Sequence, residues 1–224
     1  GRFAEILRIG FPASLQGVIF AISNVIIQSS VNSFGSTVVA GNSAASNIEG
    51  FVYVSMNSFY QGTISFTSQN VGAGKYERVN KILFTAQACV IVTGLVLGNL
   101  AVLFGHDLLG FYTKSAAVKA AGMNRLKIIC TVYALCGMMD VMVGSLRGLG
   151  YSVMPTIVSL VGACGLRLLW IFTFFRMYGQ FHTPQSLYLT YPVSWLITIC
   201  AHVICFVIVR RKISRRFTEN SPAR

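Results

Sequence analysis

Charge is what this sequence has least of. Asp, Glu, Lys and Arg make up 11% of its 224 residues, against roughly a quarter in ordinary soluble domains. Stretches without any of the four occupy residues 9–48, 50–74, 82–105, 128–139, 148–166 and 177–209. With 54% hydrophobic residues and a mean hydropathy of +0.65, the composition excludes an ordinary soluble domain and points to a membrane protein. A spanning helix needs about 20 largely apolar residues, and six spans fit the uncharged runs.

Other absences narrow the reading further. The six cysteines (Cys89, Cys130, Cys136, Cys164, Cys200, Cys205) contain no C-x-x-C spacing and all fall in predicted helices, so buried free thiols are expected rather than a metal site or disulfides. No secretory signal opens the chain, which begins Gly-Arg-Phe-Ala-Glu without an initiator Met; a piece of a longer protein is expected. His106 and His182 fall in outer loops and His202 in the last helix. With no H-E-x-x-H, paired carboxylates or Ser/His set, no enzyme and no cofactor is expected. "NVGAGK" is not a P-loop, because Gln69 holds the first glycine position and Tyr76 follows the lysine. The formal charge of +12 does not imply nucleic acid, since the charges flank the hydrophobic runs.

What is present reads as an all-α polytopic lobe over residues 1–213, with helices at about 6–32, 37–70, 78–104, 116–146, 152–176 and 186–210, and a basic tail over 214–224. The second helix is unusual. Its "NSAASNIEGFVYVSMNSFYQGTISFTSQN" is crowded with Ser, Asn, Gln and Gly, suited to close helix packing or a watered cavity. The third carries Gly94 and Gly98 as G-x-x-x-G, and "VGAGKYERVNK" reads as a charged turn whose Lys75, Arg78 and Lys81 meet anionic headgroups.

Successive loops alternate sides, and the Lys/Arg excess marks the cytoplasm. The side holding both termini carries Arg2, Arg8, Lys75, Arg78, Lys81, Arg147, Arg210, Arg211, Lys212, Arg215, Arg216 and Arg224. The other carries Lys114, Lys119, Arg125, Lys127 and Arg176. Both termini are therefore expected in the cytoplasm, with Arg167 inside the fifth helix.

Two isolated acids stand out. Asp140 is the only charge between Lys127 and Arg147, at a helix position where a charge costs about 2.5–3.5 kcal/mol on insertion scales. Helical spacing puts Tyr133, Cys136, Gly137, Asp140 and Gly144 on one stripe, leaving room for an ion or substrate. Arg147 lies about 10 Å further along the axis and Arg167 about 12 Å away in depth, so neither is expected to pair with Asp140 directly. Two readings stand: a carboxylate alternating between protonated or cation-bound and free states, or an acid bonding a neighbouring helix. Glu49, alone between Arg8 and Lys75, is either an acid at the outer rim or a cation contact. Gln16, Asn24 and Gln28 recur near one face of the first helix, and Asn57 and Gln61 lie one turn apart on the second; such amides line a cavity or bond between helices. Phe51, Tyr53, Phe59, Tyr60 and Phe66 are candidates to meet aromatic cations or simply to pack.

"EILRIGFPASLQ", "SNVIIQSSVNSFG", "SFTSQNVGAGKYERV" and "GSLRGLGYSVMPTIVSLVGACGLRLLWIF" resemble, over nearly the whole chain, the second half of a multidrug and toxic compound extrusion transporter. The resemblance implies twelve helices in two six-helix lobes, of which this is the carboxyl-terminal one, with the amino-terminal lobe as its missing partner. It implies a plasma-membrane protein exporting organic cations and other amphipathic small molecules in exchange for Na+ or H+. The chain departs from the family pattern in having Cys136 where cation-coupled members carry this helix's acid, and Phe20 near the acid of the lobe's first helix. The resemblance thus implies a main coupling carboxylate in the absent lobe. Two alternatives accompany it: an inactive truncated fragment, and a lipid-linked precursor or polysaccharide flippase. The flippase calls for a strongly basic cavity, whereas the sequence offers only Arg167 within its spans.

Overall fold

The computed structural model describes residues 2–219. Its regular structure is helical: α1 Arg2–Asn32, α2 Ser36–Gly72, α3 Arg78–Leu103, α4 Gly105–Gly110, α5 Ala116–Ile129, α6 Ala134–Gly148, α7 Val153–Ser159, α8 Leu166–Trp170 and α9 Pro184–Glu219. The basic tail begins as a continuation of α9; residues 220–224 lie outside the described residues.

Among the described residues four helical stretches are long and apolar enough to cross a membrane: Ser14–Asn32, Arg78–Leu103, Val153–Phe175 and Pro184–Ile213. A fifth results if α5 and α6, bent by 47°, count as one. The remaining long helix, α2, has 37 residues but not the apolarity, because its Ser, Asn, Gln and Gly are spent on other helices. It packs most extensively on α6, α5 and α3, burying Asn42, Glu49, Thr63 and Thr67. Phe84, Val92 and Leu103 of α3, and Leu196, Ile204 and Ile208 of α9, stay exposed, which fits a lipid-facing wall.

Small residues bring the helices together. On α3, a side-chain carbon at Gly94 would meet the Ala134 backbone at 2.7 Å, and one at Gly98 would collide with the Cys130 carbonyl. The G-x-x-x-G pair is therefore a groove that receives the α5–α6 junction. At that junction the expected single helix over 116–146 is interrupted by a 3-10 turn, Cys130–Val132. Its cause is local. The Thr131 hydroxyl donates to the Lys127 carbonyl at 2.7 Å, a back-bond that bends helices, and the missing side chain of Gly98 admits the displaced backbone.

The expected fifth helix, 152–176, is also irregular. Leu160–Gly165 and Ile171–Phe175 are π-helical, on either side of α8. Such widened turns re-aim side chains and are frequent at functional sites; here they bracket Arg167. The glycine-rich turn after α2 closes as expected of a helix end: Gly74 takes φ +72° and the Lys75 amide returns to the Asn70 carbonyl at 2.8 Å. Of the cysteines, Cys130, Cys136 and Cys164 are buried, whereas Cys89 and Cys200 are exposed and Cys205 is half-buried, because their helices turn those positions outwards.

Candidate functional site

Helices α1, α2, α6, α8 and α9 line an open cavity of about 450 Å³. Its lining includes Gln16 and Asn24 from α1, Tyr53, Asn57 and Tyr60 from α2, and Asp140 and Arg147 from α6. Tyr133 stands at the head of α6, Arg167 comes from α8, and Tyr191 and Trp195 come from α9. Five of the eight residues singled out from sequence (Asp140, Gln16, Asn24, Asn57 and Tyr133) therefore meet in one place.

Asp140 is half-buried and lines the cavity without a hydrogen bond or ion pair among the described residues; the one ion pair found among them is elsewhere. The stripe expected beside it divides in two. Tyr133 and Cys136 share the cavity with it. Gly137 instead faces Val90 and Met56, and Gly144 faces the Tyr60 backbone. The room those glycines leave is filled by neighbouring helices, and the cavity lies on the adjoining face of α6.

Arg147 corrects the sequence reading. Expected as a cytoplasmic charge at the helix exit, it is half-buried and lines the cavity. One guanidinium nitrogen donates to the Tyr60 hydroxyl, another to Gln16 Oε1 at 2.7 Å and to the Thr156 hydroxyl at 3.2 Å, while its Nε is buried without a partner. Every group it bonds is formally neutral. Arg167 is buried, 4% exposed. Its Nε donates to the Ser194 hydroxyl at 2.8 Å, and its guanidinium lies 4.1 Å from the Tyr191 ring centroid and 5.7 Å from that of Trp195, a cation–π arrangement. It too has no carboxylate partner among the described residues. Asp140 and Arg167 share the cavity without pairing, as the depth argument requires.

The other three singled-out residues lie elsewhere. Glu49, read as a rim acid or a cation contact, is buried at 6% exposure. Both its oxygens are taken by Arg125, at 2.7 Å from Nε and 2.8 Å from Nη2. The remaining Arg125 nitrogen donates to Asn42 Oδ1 at 2.7 Å, Asn42 donates to Gln28 Oε1 at 2.9 Å, and Gln28 donates to Asn32 at 3.1 Å. Gln28 thus joins α1 to α2 rather than lining the cavity. Arg125, read as a loop charge, is buried in α5, because the pairing fork of Glu49 faces it. Gln61 is exposed on α2: one residue past Tyr60, it is rotated about 100° around the helix away from the cavity.

The aromatics divide as well. Tyr53 and Tyr60 line the cavity. Phe59 and Phe66 line an α2–α3 groove that also holds Arg78 and Lys81, and Phe51 lines another groove with Tyr112. Sequence reading missed Tyr191 and Trp195. Their signal was present: Tyr188, Tyr191 and Trp195 recur at three- and four-residue spacings along one face of α9. Tyr188 and Tyr191 lie 5.5 and 5.4 Å from the Arg125 guanidinium, so that face touches both arginine clusters.

A multi-pass helical lobe with polar and charged side chains converging on a cavity between its helices belongs to the transporter class of membrane proteins. The family model for MatE matches residues 12–173, and the chain belongs to that family. It is similar to the probable multidrug resistance protein YpnP of Bacillus subtilis, 28% identical over 216 residues, which is 96% of this chain and 48% of the relative. The probable multidrug resistance protein YoeA of the same organism is 23% identical over 163 residues, 73% of this chain and 35% of YoeA. Among solved structures, the Vibrio cholerae MATE transporter VcmN superposes with a TM-score of 0.81 at 19% identity, covering 92% of this chain and 46% of VcmN. A MOP superfamily transporter from Pyrococcus furiosus, described as having a binding pocket of reversed polarity, gives 0.80 at 14% identity, covering 92% of this chain and 45% of that one. The chain spans between a third and a half of the length of these relatives.

Proposed function

We propose that the chain is the carboxyl-terminal lobe of a secondary active efflux transporter. Paired with an amino-terminal lobe, it exports amphipathic small molecules, organic cations among them, in exchange for Na+ or H+. The observation that carries this reading is the unpaired carboxylate of Asp140 facing a cavity of about 450 Å³ walled by Tyr53, Tyr60, Tyr133, Tyr191 and Trp195. An acid kept inside a membrane helix without a partner is suited to exchanging a proton or cation. The aromatic walls suit a flat organic body, and the volume falls in the range of drug-sized sites. Turnover then consists of rigid-body rocking of two lobes about the central cavity.

The lobe lies in the plasma membrane with both termini cytoplasmic. Removing Arg125 and Arg147, which are not loop charges, from the tally leaves eleven basic residues against four, so the bias is unchanged. The test is dye efflux from proteoliposomes holding both lobes, under an imposed Na+ or pH gradient. Asp140→Asn should uncouple efflux from the gradient; coupling that persists unchanged in this variant removes Asp140 from the mechanism.

A further inference from the structure

The cavity holds more positive charge than an exporter of simple cations needs. Its lining contains two guanidinium groups, Arg147 and Arg167, and one carboxylate, Asp140, a formal excess of one positive charge when the acid is ionised. Neither arginine is balanced: the one ion pair among the described residues is Arg125 with Glu49. An arginine that serves only to join helices is satisfied by its neighbours, as Arg125 is, with all three nitrogens bonded. Arg167 differs. It is buried, one edge is fixed by Ser194 and one face by Tyr191, and no hydrogen bond to its two terminal nitrogens is found among the described residues, although the residue lines the cavity. A guanidinium held rigidly by its Nε edge and aromatic face presents its remaining donors as a planar fork, the geometry that receives a carboxylate, sulfonate or phosphate.

The order of the charges along the cavity adds a constraint. The Tyr133 ring lies 5.5 Å from that of Trp195, which in turn is within 5.7 Å of Arg167. Arg167 therefore stands towards the Tyr133 side of the cavity, whereas Arg147 lies seven residues past Asp140 on α6, about 10 Å further along that helix at 1.5 Å per residue. A cation entering such a cavity is drawn to one acid and repelled from both ends.

We infer that the cavity recognises an aromatic small molecule carrying an acidic group, which the free fork of Arg167 binds, with Arg147 holding the opposite end of the cavity positive; Asp140 remains open for the coupling ion or for an amine on the same substrate. This rests on the efflux reading and narrows its substrate class.

The test uses the purified chain in lipid nanodiscs and two aromatic dyes of opposite charge, carboxyfluorescein and ethidium, with binding followed by fluorescence polarisation. The wild type should bind carboxyfluorescein at least tenfold more tightly than ethidium, and the preference should shrink with added salt. Arg167→Gln should weaken carboxyfluorescein about tenfold or more, the scale of one charge-assisted hydrogen-bond set, and Arg167→Lys should recover part of that loss. The Lys variant keeps the charge and separates loss of recognition from failure to fold; circular dichroism of both variants serves as the second control. Ethidium bound and carboxyfluorescein not bound overturns the acid-recognition inference and leaves the efflux reading standing. Carboxyfluorescein affinity unchanged in Arg167→Gln also overturns it. Binding of neither dye by the wild type overturns the acid-recognition inference, while the efflux reading, which needs both lobes, stands or falls by the proteoliposome assay.

Discussion

Two arginine clusters lie within one lobe, and they are built on opposite rules. Around Arg125 every nitrogen is bonded: Glu49 takes two, Asn42 the third, and Tyr188 and Tyr191 cover the guanidinium within 5.5 Å. Around Arg147, Arg167 and Asp140 the charges share a cavity, and none of them pairs with another. The first arrangement ties α1, α2 and α5 together and leaves nothing for a ligand. The second leaves charge available at the cost of local stability. Residue type alone does not separate a structural ion pair from a binding site; what separates them is whether the partner is already present.

The largest expected effect tests the closed cluster. Glu49→Ala or Arg125→Ala leaves the other charge buried and unpaired, which costs on the order of 3–5 kcal/mol. Thermal unfolding of the detergent-solubilised protein should record a marked fall in midpoint for either single variant. The double variant should be less affected than the sum of the two, since it strands no charge. A sum of equal size would mean the pair is not coupled, and the contrast between the clusters would lose its basis.

Next in size is the groove that positions the open cluster. Gly98→Ala places a carbon against the Cys130 carbonyl and must push the α5–α6 junction outwards, at about 1–3 kcal/mol. Gly62 on α2 meets nothing within 4 Å. Gly62→Ala should be neutral or stabilise by up to ~1 kcal/mol through helix propensity. Similar destabilisation by the two substitutions would refute the assignment of Gly98 to packing.

Asp140→Asn should move stability the other way from Glu49→Ala. It removes an unpaired charge from a half-buried position, so the unfolding midpoint should hold or rise, by the equivalent of up to ~1 kcal/mol. A loss as large as that of Glu49→Ala would mean that Asp140 has a structural partner after all.

The contrast also explains how far the sequence could be read. The four long apolar helices, and the bent α5–α6 pair, follow from charge-free runs, because the membrane imposes a length and an apolarity that are local properties; α2 is long without being apolar enough to be read that way. The breaks in those helices do not follow in the same way. The bend at Cys130–Val132 depends on Thr131 meeting the Lys127 carbonyl and on Gly98, thirty-two residues earlier, lacking a side chain. The isolation of Asp140 was legible, since it needs only the surrounding sequence. The pairing of Glu49 with Arg125 joins residues 76 positions apart, and nothing local marks Arg125 as different from Lys119 and Lys127 on the same helix. Arg147 was misplaced for a related reason: a basic residue at a helix end is usually a topological anchor, and its turn into the cavity is set by Tyr60 and Gln16 on other helices.

Gln61 provides the finest test. It was grouped with Asn57 because the two lie one turn apart on α2, yet Asn57 lines the cavity and Gln61 is exposed. In the isolated chain, Gln61→Ala should change neither stability, within about 0.5 kcal/mol, nor dye affinity, whereas Asn57→Ala should shift dye affinity severalfold. With both lobes present the same pair becomes more informative. An effect of Gln61→Ala on efflux that appears only in the two-lobe assembly would place this face of α2 against the second lobe. No effect in either setting would assign it to lipid, the least expected outcome for an exposed amide on a helix this polar.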